Sequence, residues 1–322
     1  MPSKIIDLFD VEKVYGDVGI EVEFETKYDI WPQLAGWQRK ADGSLRGNGI
    51  EYAFSKPRTL EEAPPLINKL YAKLLKETPI IESPRAGVHV HINCQQLTQE
   101  EVMKFILIYL LLENVLVHWC GEDRESNLYC MRAMDADYLI DRIGNIIGKK
   151  TFRGNIDKYI RYASINLEAL SKFGSLEFRA LRTPLNPERI IKWMTMLFKI
   201  REAIPLFPNP QDIVEGFSAQ GVEPFLRGIF GQDLYKDLIY VGVEDDLYSG
   251  ARIIQTLAYK KWEFFDNQER LLDDFHFAPL AANPMNVAED NVIRDFVRVL
   301  EMPEGELRNT MRRWDVIGEV DV

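Results

Sequence analysis

The 322-residue sequence has few cysteines, and none of them has the spacing of a metal-binding or redox pair. Cys94, Cys120 and Cys130 form no C-x-x-C motif, and their odd number argues against a disulfide framework. The first residues lack the apolar segment of a secretory signal peptide. These absences lead us to expect a cytoplasmic protein.

The chain also has little positive charge for a protein that holds nucleic acid through its phosphates. It has 39 Lys and Arg against 50 Asp and Glu, a net charge of −11. Residues 1–200 hold 27 charges of each sign, so residues 201–322 carry the whole excess. We expect no long nucleic acid as a partner. Residues 151–200 contain nine basic and four acidic residues. This local positive charge indicates either a binding site for a smaller anion, such as a polyphosphate, or a helix with a solvated basic face.

Long hydrophobic runs are missing as well. The most apolar stretch, 105–119, has about 15 residues and includes Glu113 and His118. It is too short to cross a bilayer, so it predicts a buried helix and no membrane partner.

Several common catalytic motifs do not occur in the sequence. It contains no P-loop, no G-x-G-x-x-G after a strand, no G-x-S-x-G elbow and no H-E-x-x-H helix. Its 46% hydrophobic and 28% charged residues are nevertheless typical of a globular protein. The length fits one large domain or two ordinary ones.

Alternating apolar and polar residues predict three strands, at 18–26, 50–54 and 87–93. Two more strands are predicted at 162–167 and 175–181. Each of these strands would place polar side chains on one face and apolar side chains on the other.

Capping residues mark the predicted helices. Thr59 precedes a helix to residue 75, Thr98 precedes one to residue 119, and Asn186 with a following proline precedes one over 187–200. A further helix is predicted over 135–147. After a cluster of prolines at 205–210, the sequence favours short helical segments. We therefore divide the chain into a domain over 1–204 and an acidic, mostly helical region over 205–322. The sequence is also compatible with the two regions packing together as one unit.

Carboxylates on one strand form the first candidate site. Glu21 and Glu23, with Glu25 beyond them, would point to the same face at intervals of about 7 Å. A divalent cation would relieve their repulsion through oxygen ligands. An exposed acidic strand face is the alternative.

Other strands present compatible groups. His89 and His91 share a face and suit a metal or a phosphate, or they are a histidine pair on an edge strand. Glu177 and Arg179 would be a metal ligand and a neighbouring phosphate-binding arginine, or they form a structural ion pair. Glu51 follows a turn-rich loop. Together these strands would line a solvated bowl that holds two or three metal ions and a nucleotide.

The order of the motifs resembles the amidoligase family, the carboxylate–amine ligases related to glutamine synthetase and glutamate–cysteine ligase. The matching segments are G-I-E-V-E-F-E at 19–25, D-G-S at 42–44, G-I-E at 49–51, S-K-P at 55–57, G-V-H-V-H-I-N at 87–93, Arg161-Tyr162 with Asn166, S-L-E-F-R at 175–179, and the helix holding Trp193. The resemblance covers roughly residues 15–200. The chain has Arg182-Thr183 where such proteins often have Gly-Thr.

The resemblance implies an α+β fold, with a glutamine-synthetase-like antiparallel sheet of five or six strands and helices on one face. It also implies an ATP-dependent ligase that forms an amide bond of the isopeptide type through an acyl phosphate. The expected cofactors are ATP and Mg²⁺ or Mn²⁺, and the expected partners are small-molecule or peptide carboxylate and amine substrates. The resemblance is also compatible with a homo-oligomer.

By position, the resemblance also assigns residue roles. The metal ligands would be Glu21, Glu23, Glu51, His89, His91 and Glu177, with the choice between the two histidines left open. Catalysis would rest on Arg179, Glu177 and Glu51. Nucleotide or substrate contacts would come from Arg46, Asn93, Arg161, Asn166 and Arg179.

Two functions of other classes remain open at this point. A mononuclear metal oxygenase could use His89, His91 and one carboxylate. A non-catalytic binding or assembly protein could keep the fold and use the acidic tail as an interface.

Overall fold

The computed structural model describes residues 3–27, 31–43, 45–46, 48–78, 80–121, 124, 130–149, 151–156 and 163–260. The chain divides into two compact units, Met1–Arg270 and Leu271–Val322, and all described residues belong to the first. Helices that follow residue 205 lie in this first unit, and the boundary at 204–205 stays a prediction. Arg161 and the tail from residue 261 lie outside the described residues.

An antiparallel sheet forms the centre of the fold. Its strands are β1 Val18–Thr26, β2 Trp37–Lys40, β3 Ile50–Phe54, β4 Ile80–Ile81, β5 Val88–Asn93, β6 Ile165–Asn166 and β7 Ser175–Phe178. The strand order is β2-β3-β1-β5-β7-β6, and β4 pairs with the end of β1. This arrangement confirms the α+β fold with an antiparallel sheet, with seven strands rather than five or six.

The sequence analysis did not predict two of the strands, because they lack alternating apolar and polar residues. In β2 only Trp37 is buried and the next three residues are exposed, so no apolar face repeats along it. β4 has only two residues. The predicted strands at 162–167 and 175–181 are real but shorter in their described parts, at β6 and β7.

Helices cover the apolar face of the sheet and continue past it. They are α1 Ile5–Phe9, α2 Ala63–Glu77, α3 Gln99–Cys120, α4 Asp137–Lys149, α5 Glu168–Phe173, α6 Glu188–Glu202, α7 Gln211–Gln220, α8 Val222–Asp237 and α9 Val243–Ala258. Thr98 and Glu101 form a capping box at the start of α3. Asn186 Oδ1 accepts the Glu188 N–H at 2.9 Å before α6. The predicted Thr98 cap is therefore confirmed, whereas α6 begins one residue later than predicted, with Pro187 rather than Asn186 at the cap position.

The predicted start of α2 is wrong by one helical turn. The helix begins at Ala63, and Thr59 and Glu62 exchange hydrogen bonds in the turn before it. The two residues form the reciprocal bonds of a capping pair, but they do so ahead of the helix rather than at its first turn.

The central helix α3 extends well beyond the apolar stretch 105–119, which the sequence analysis judged too short to cross a bilayer. It has 22 residues and is, within the described part of the chain, the one helix long and apolar enough to cross a membrane by length and composition. However, 89% of its most apolar stretch is buried inside the protein, which confirms the predicted buried helix. Phe105 and Tyr109 of α3 pack against Phe178 on the sheet. On its other side, a Cβ at Gly250 of α9 would lie 2.1 Å from Leu111 O, so α9 packs closely on α3.

One acid lies inside this apolar helix. Glu113 Oε2 accepts the Ala133 N–H at 2.7 Å, and its other oxygen accepts the Ser164 hydroxyl. Tyr109 donates to Ser164 Oγ at 3.0 Å. Burial raises the pKa of Glu113 to about 7, although the two hydrogen bonds that it accepts oppose this effect.

We expect the substitution Glu113→Gln to change how stability depends on pH. Between about 4.5 and about 7, the folded state keeps a proton that the unfolded chain has released. Wild-type stability therefore falls as pH rises through this window because of this group. The glutamine variant keeps the shape without the charge. Its melting temperature relative to wild type should rise across the window, as measured by thermal denaturation at several pH values.

The exposed Glu61→Gln variant serves as the control for this measurement. A Glu113→Gln difference that stayed constant over the whole pH range would show that this carboxyl is already ionised in the folded protein throughout the window.

Candidate functional site

The strand register brings the predicted metal ligands to one face of the sheet. Glu21 on β1 is opposite His89 on β5, and Glu23 is opposite Glu51 on β3. His91 on β5 is opposite Glu177 on β7. Directly opposed residues of an antiparallel pair share a face. All six predicted ligands therefore lie on the face opposite the α3 core.

Two groups of side chains on this face could each hold a metal ion. Ligand atoms of Glu21, His91 and Glu177 lie within 4.8 Å of one another, and we call these residues the Glu21 cluster. Ligand atoms of Glu23, Asp42 and Glu51 meet the same limit, and we call these residues the Glu23 cluster. Five of the six donors are carboxylates, the ligand type that Mg²⁺ and Mn²⁺ prefer.

His89 lies between the two clusters. Its Nδ1 is 3.3 Å from Glu21 Oε2 and 3.7 Å from Glu177 Oε1, and its Nε2 is 3.7 Å from Glu23 Oε1. Burial lowers the pKa of His89, but the hydrogen bond with Glu21 and the neighbouring carboxylates raise it above the usual value. The structure thus puts His91, rather than His89, in a ligand cluster, and it leaves His89 in contact with both clusters.

The carboxylates of the site have pKa values shifted in opposite directions. Burial raises the pKa of Glu21, but the hydrogen bond with His89 and nearby positive charges outweigh burial and lower it to about 2. Burial raises the pKa of Glu23 to about 7. Burial and the charge of Glu21 raise the pKa of Glu51. Acids crowded in this way are stabilised by a cation, so the donor set fits a divalent metal ion.

Arg179 lies beside the Glu21 cluster and keeps one donor available. Its Nη1 donates to Glu177 Oε1. Its Nε is buried and has no hydrogen-bond partner among the described residues. The Arg179 backbone is fixed separately, because its N–H donates to Ser164 O at 2.8 Å and its carbonyl accepts from Arg124 at 3.0 Å. A guanidinium held in this way can bind an anion next to the metal ligands.

Two residues predicted to bind nucleotide make internal contacts in this structure. Asn166 Nδ2 donates to Glu177 Oε2 at 2.7 Å, so Asn166 orients a cluster ligand. Asn93 Nδ2 donates to Gly16 O at 2.8 Å and its Oδ1 accepts the Gln95 N–H at 2.9 Å. Their contact with a nucleotide stays a prediction.

Arg46 lies near the end of β1, beyond the Glu23 cluster. Its N–H donates to Glu25 Oε1 at 2.7 Å, while Arg85 Nε lies 3.5 Å from the same oxygen. Glu25 therefore links two loops and belongs to neither cluster. The substrate role of Arg46 stays a prediction.

A cavity of about 390 Å³ opens next to the Glu21 cluster. The residues that line it include Glu21, His91, Lys56, Lys172 and Phe173. The Phe173 ring is 57% exposed and meets His91 edge-on, with 5.7 Å between the ring centroids. The cavity therefore combines an accessible aromatic ring with two lysines beside a candidate metal site.

Three contributors to the site were missed by the sequence analysis. Asp42 belongs to a quoted motif but was not assigned as a ligand. Lys40, 3.3 Å from Glu51 Oε1, is on the unpredicted strand β2. Gly87 donates its N–H to Glu23 Oε2 at 2.7 Å, and a Cβ at Gly87 would lie 3.4 Å from His89 Nε2. Of these three residues, only Asp42 had a signal in the sequence, namely the turn-rich composition of its loop.

The predicted solvated bowl is wrong for the centre of the site. Glu23 is 3% exposed, and Glu177 and His89 are each 6% exposed. The backbone at Gly87 lies directly against Glu23 and His89. Charges in such a dry site interact more strongly than they would in water.

Comparison with protein families supports the same conclusion as the geometry. Residues 55–200 match the model of a family described as a "putative amidoligase enzyme", which confirms the resemblance. The matched stretch includes both histidines, Glu177 and Arg179, whereas Glu21, Glu23 and Glu51 precede it. A search of curated proteins gave no match.

Proposed function

We propose that this protein, whose residues 55–200 belong to the amidoligase family, is an ATP-dependent carboxylate–amine ligase. The family indicates an enzyme of the ligase type. The observation that carries the finer proposal is the pair of carboxylate-rich clusters side by side, with the available Nε of Arg179 next to one of them. This is the charge arrangement that a transferred phosphoryl group requires.

The proposed reaction has two steps. In the first, a carboxylate oxygen attacks the γ-phosphorus of ATP, which forms a C–O–P bond and releases ADP. In the second, an amine attacks the carbonyl carbon of this acyl phosphate, which forms the C–N bond and releases phosphate and a proton. Arg179 would hold the charge that develops on the phosphoryl oxygens, and Glu177 would orient Arg179.

The two clusters would hold Mg²⁺ or Mn²⁺, which offset the negative charge of phosphate oxygens when bound. The fit rests on the donor set and on Glu51 Oε1, a buried oxygen that makes an ion pair but no well-aligned hydrogen bond within the described part of the chain. Lys40 lies 3.3 Å from this oxygen and balances part of the charge.

The cavity beside the Glu21 cluster is the proposed nucleotide pocket. Phe173 offers a ring face for a base, and Lys56 and Lys172 offer charges for phosphates. A triphosphate bound in this cavity would lie next to the candidate metal ligands Glu21 and His91.

The donor set disfavours a mononuclear oxygenase. Such sites take two histidines and one carboxylate, but the Glu21 cluster has one histidine and two carboxylates. An oxygenase would also leave the Glu23 cluster and Arg179 without a role.

We expect ATP and a divalent cation to stabilise the protein together. ATP with Mg²⁺ or Mn²⁺ should raise the melting temperature by more than the sum of the separate shifts, because each ligand completes the other's binding site. Thermal shift with ATP, the metal ion and both together measures this effect. ATP-dependent phosphate release with pools of carboxylic acids and amines then tests the reaction. Stabilisation by Zn²⁺ alone, indifferent to ATP, would count against the proposal.

A further inference from the structure

We infer that the protein has a binding site for a small organic cation, an ammonium or guanidinium compound, on the helical side of the sheet. The site is a cavity of about 520 Å³, lined by residues of α3, of the segment before α4, and of α9 with the loop that precedes it. Within the described part of the chain, it shares no lining residue with the two carboxylate clusters or with the cavity beside the Glu21 cluster. The inference therefore does not depend on the proposed ligase function. The lining residues that carry it are Asn114, His118, Arg132, Tyr240, Asp245 and Asp246.

A buried amide in this cavity lacks a hydrogen-bond donor. Asn114 on α3 is 4% exposed and lines the cavity. Its Oδ1 is buried and accepts no hydrogen bond from any described residue. Nearly all buried polar groups of native proteins have a partner, because leaving one unsatisfied costs free energy. An acceptor without a donor beside a cavity indicates a ligand that brings an N–H group.

The charge around the cavity is negative, which favours a positively charged ligand. Asp245 and Asp246 lie in the first turn of α9 and line the cavity. Among the described residues, Arg132 is the one arginine or lysine that lines it, and its Nε donates to Asp135 Oδ2 at 2.9 Å, which offsets its charge. The N-terminus of α9 adds about half a positive charge, and two carboxylates exceed it. A positive charge on His118 would not reverse this sign.

The two carboxylates of α9 have different surroundings. Asp246 is half-buried, and its Oδ2 accepts the Tyr240 hydroxyl, which orients this carboxylate. Asp245 is exposed, so its carboxylate can be reached from solvent. A cation that enters the cavity would therefore pair with Asp245 and donate to Asn114 deeper in the protein.

The shape of the cavity suits an organic cation. The rings of His118 and Tyr240 are stacked, with 3.8 Å between their centroids and 15° between their planes. Aromatic rings pack against the aliphatic part of such a compound, and their faces attract positive charge. The volume is in the range of pockets for small molecules. A metal ion fits less well, because within the described residues only the Glu21 and Glu23 clusters bring three histidine, cysteine or acidic ligand atoms within 4.8 Å of one another.

The test titrates the protein by calorimetry with short compounds that differ mainly in their end group. Excess Mg²⁺ is present to compete with cations at the carboxylate clusters. Butylamine and butylguanidine should bind, whereas 1-butanol and butyrate should not. The variant Asp245→Asn should raise the Kd of butylamine roughly 10-fold or more, the scale of a lost charge-assisted hydrogen bond. Asp233→Asn on α8, where the side chain is fully exposed, is the matched control and should leave this Kd unchanged.

A second variant tests the buried amide. Asn114→Leu keeps a similar volume but removes the acceptor, so it should also raise the Kd of butylamine roughly 10-fold. Because Asn114 Oδ1 has no hydrogen-bond partner among the described residues, the ligand-free variant should melt at the wild-type temperature or above it. If this variant does not fold, Asp245→Asn carries the test, because the Asp245 side chain is exposed and its loss leaves the core intact.

Three results would overturn the inference. They are binding of butyrate in place of the two cations, absence of binding by either cation, and a Kd of butylamine that Asp245→Asn does not change. If Glu23→Gln abolished binding and Asp245→Asn did not, the cation would occupy the Glu23 cluster instead. None of these results bears on the ligase proposal, which ATP-dependent phosphate release tests separately.

Discussion

Replacing Arg179 with lysine should lower kcat roughly 100-fold or more while ATP binding changes little. Lysine keeps the positive charge but loses the planar fork and the Nε donor, which has no hydrogen-bond partner among the described residues. Interactions with charge that develops during phosphoryl transfer act on the transition state more than on the ground state. Loss of one preorganised donor typically costs a factor of about 100 to 1000 in turnover. Steady-state kinetics and ATP titration by calorimetry measure the two quantities.

Folding should survive this substitution. The Arg179 backbone is held by Ser164 O and by Arg124, and neither bond involves the Arg179 side chain. The surface variant Arg227→Lys is the matched control for an arginine-to-lysine change. A mild effect on kcat would mean that Arg179 and Glu177 form only a structural ion pair.

Replacing Glu23 with glutamine should raise the metal concentration that activity requires, by roughly 10-fold or more, because one charged ligand is lost from the site. The glutamine keeps an oxygen that can accept the Gly87 N–H, which is now bonded to Glu23 Oε2 at 2.7 Å. Activity titrated with Mg²⁺ and Mn²⁺ after chelation measures the change. Excess Mn²⁺ should partly restore turnover.

The stability of this second variant separates a metal role from a structural role. Glu23 is buried next to Glu51 and Asp42, so removing its charge should leave the metal-free protein at least as stable. Glu61→Gln on the surface is the control. If the Arg179 and Glu23 variants both kept full ATP-dependent activity at low metal, the assignment of the site would be wrong even though the fold is established.

The sequence alone determined which side chains share a face of the sheet. Alternation with period two put Glu21 and Glu23 on the polar side of β1 and His89 and His91 on the polar side of β5. The capping residues likewise located the start of α3, since a capping box is local in the chain. These features depend on neighbours within a few residues, so they can be recognised without the fold.

The division into two clusters was decided only by the tertiary structure. Alternation assigns a side chain to a face, but the register between strands decides which side chains are opposed, and register arises from pairing between distant segments. It sets His91 opposite Glu177 and Glu23 opposite Glu51. Asp42 joins the Glu23 cluster from a loop, where no periodic pattern indicates direction. The dryness of the site has the same origin, because burial is a property of the packed chain and not of a local segment.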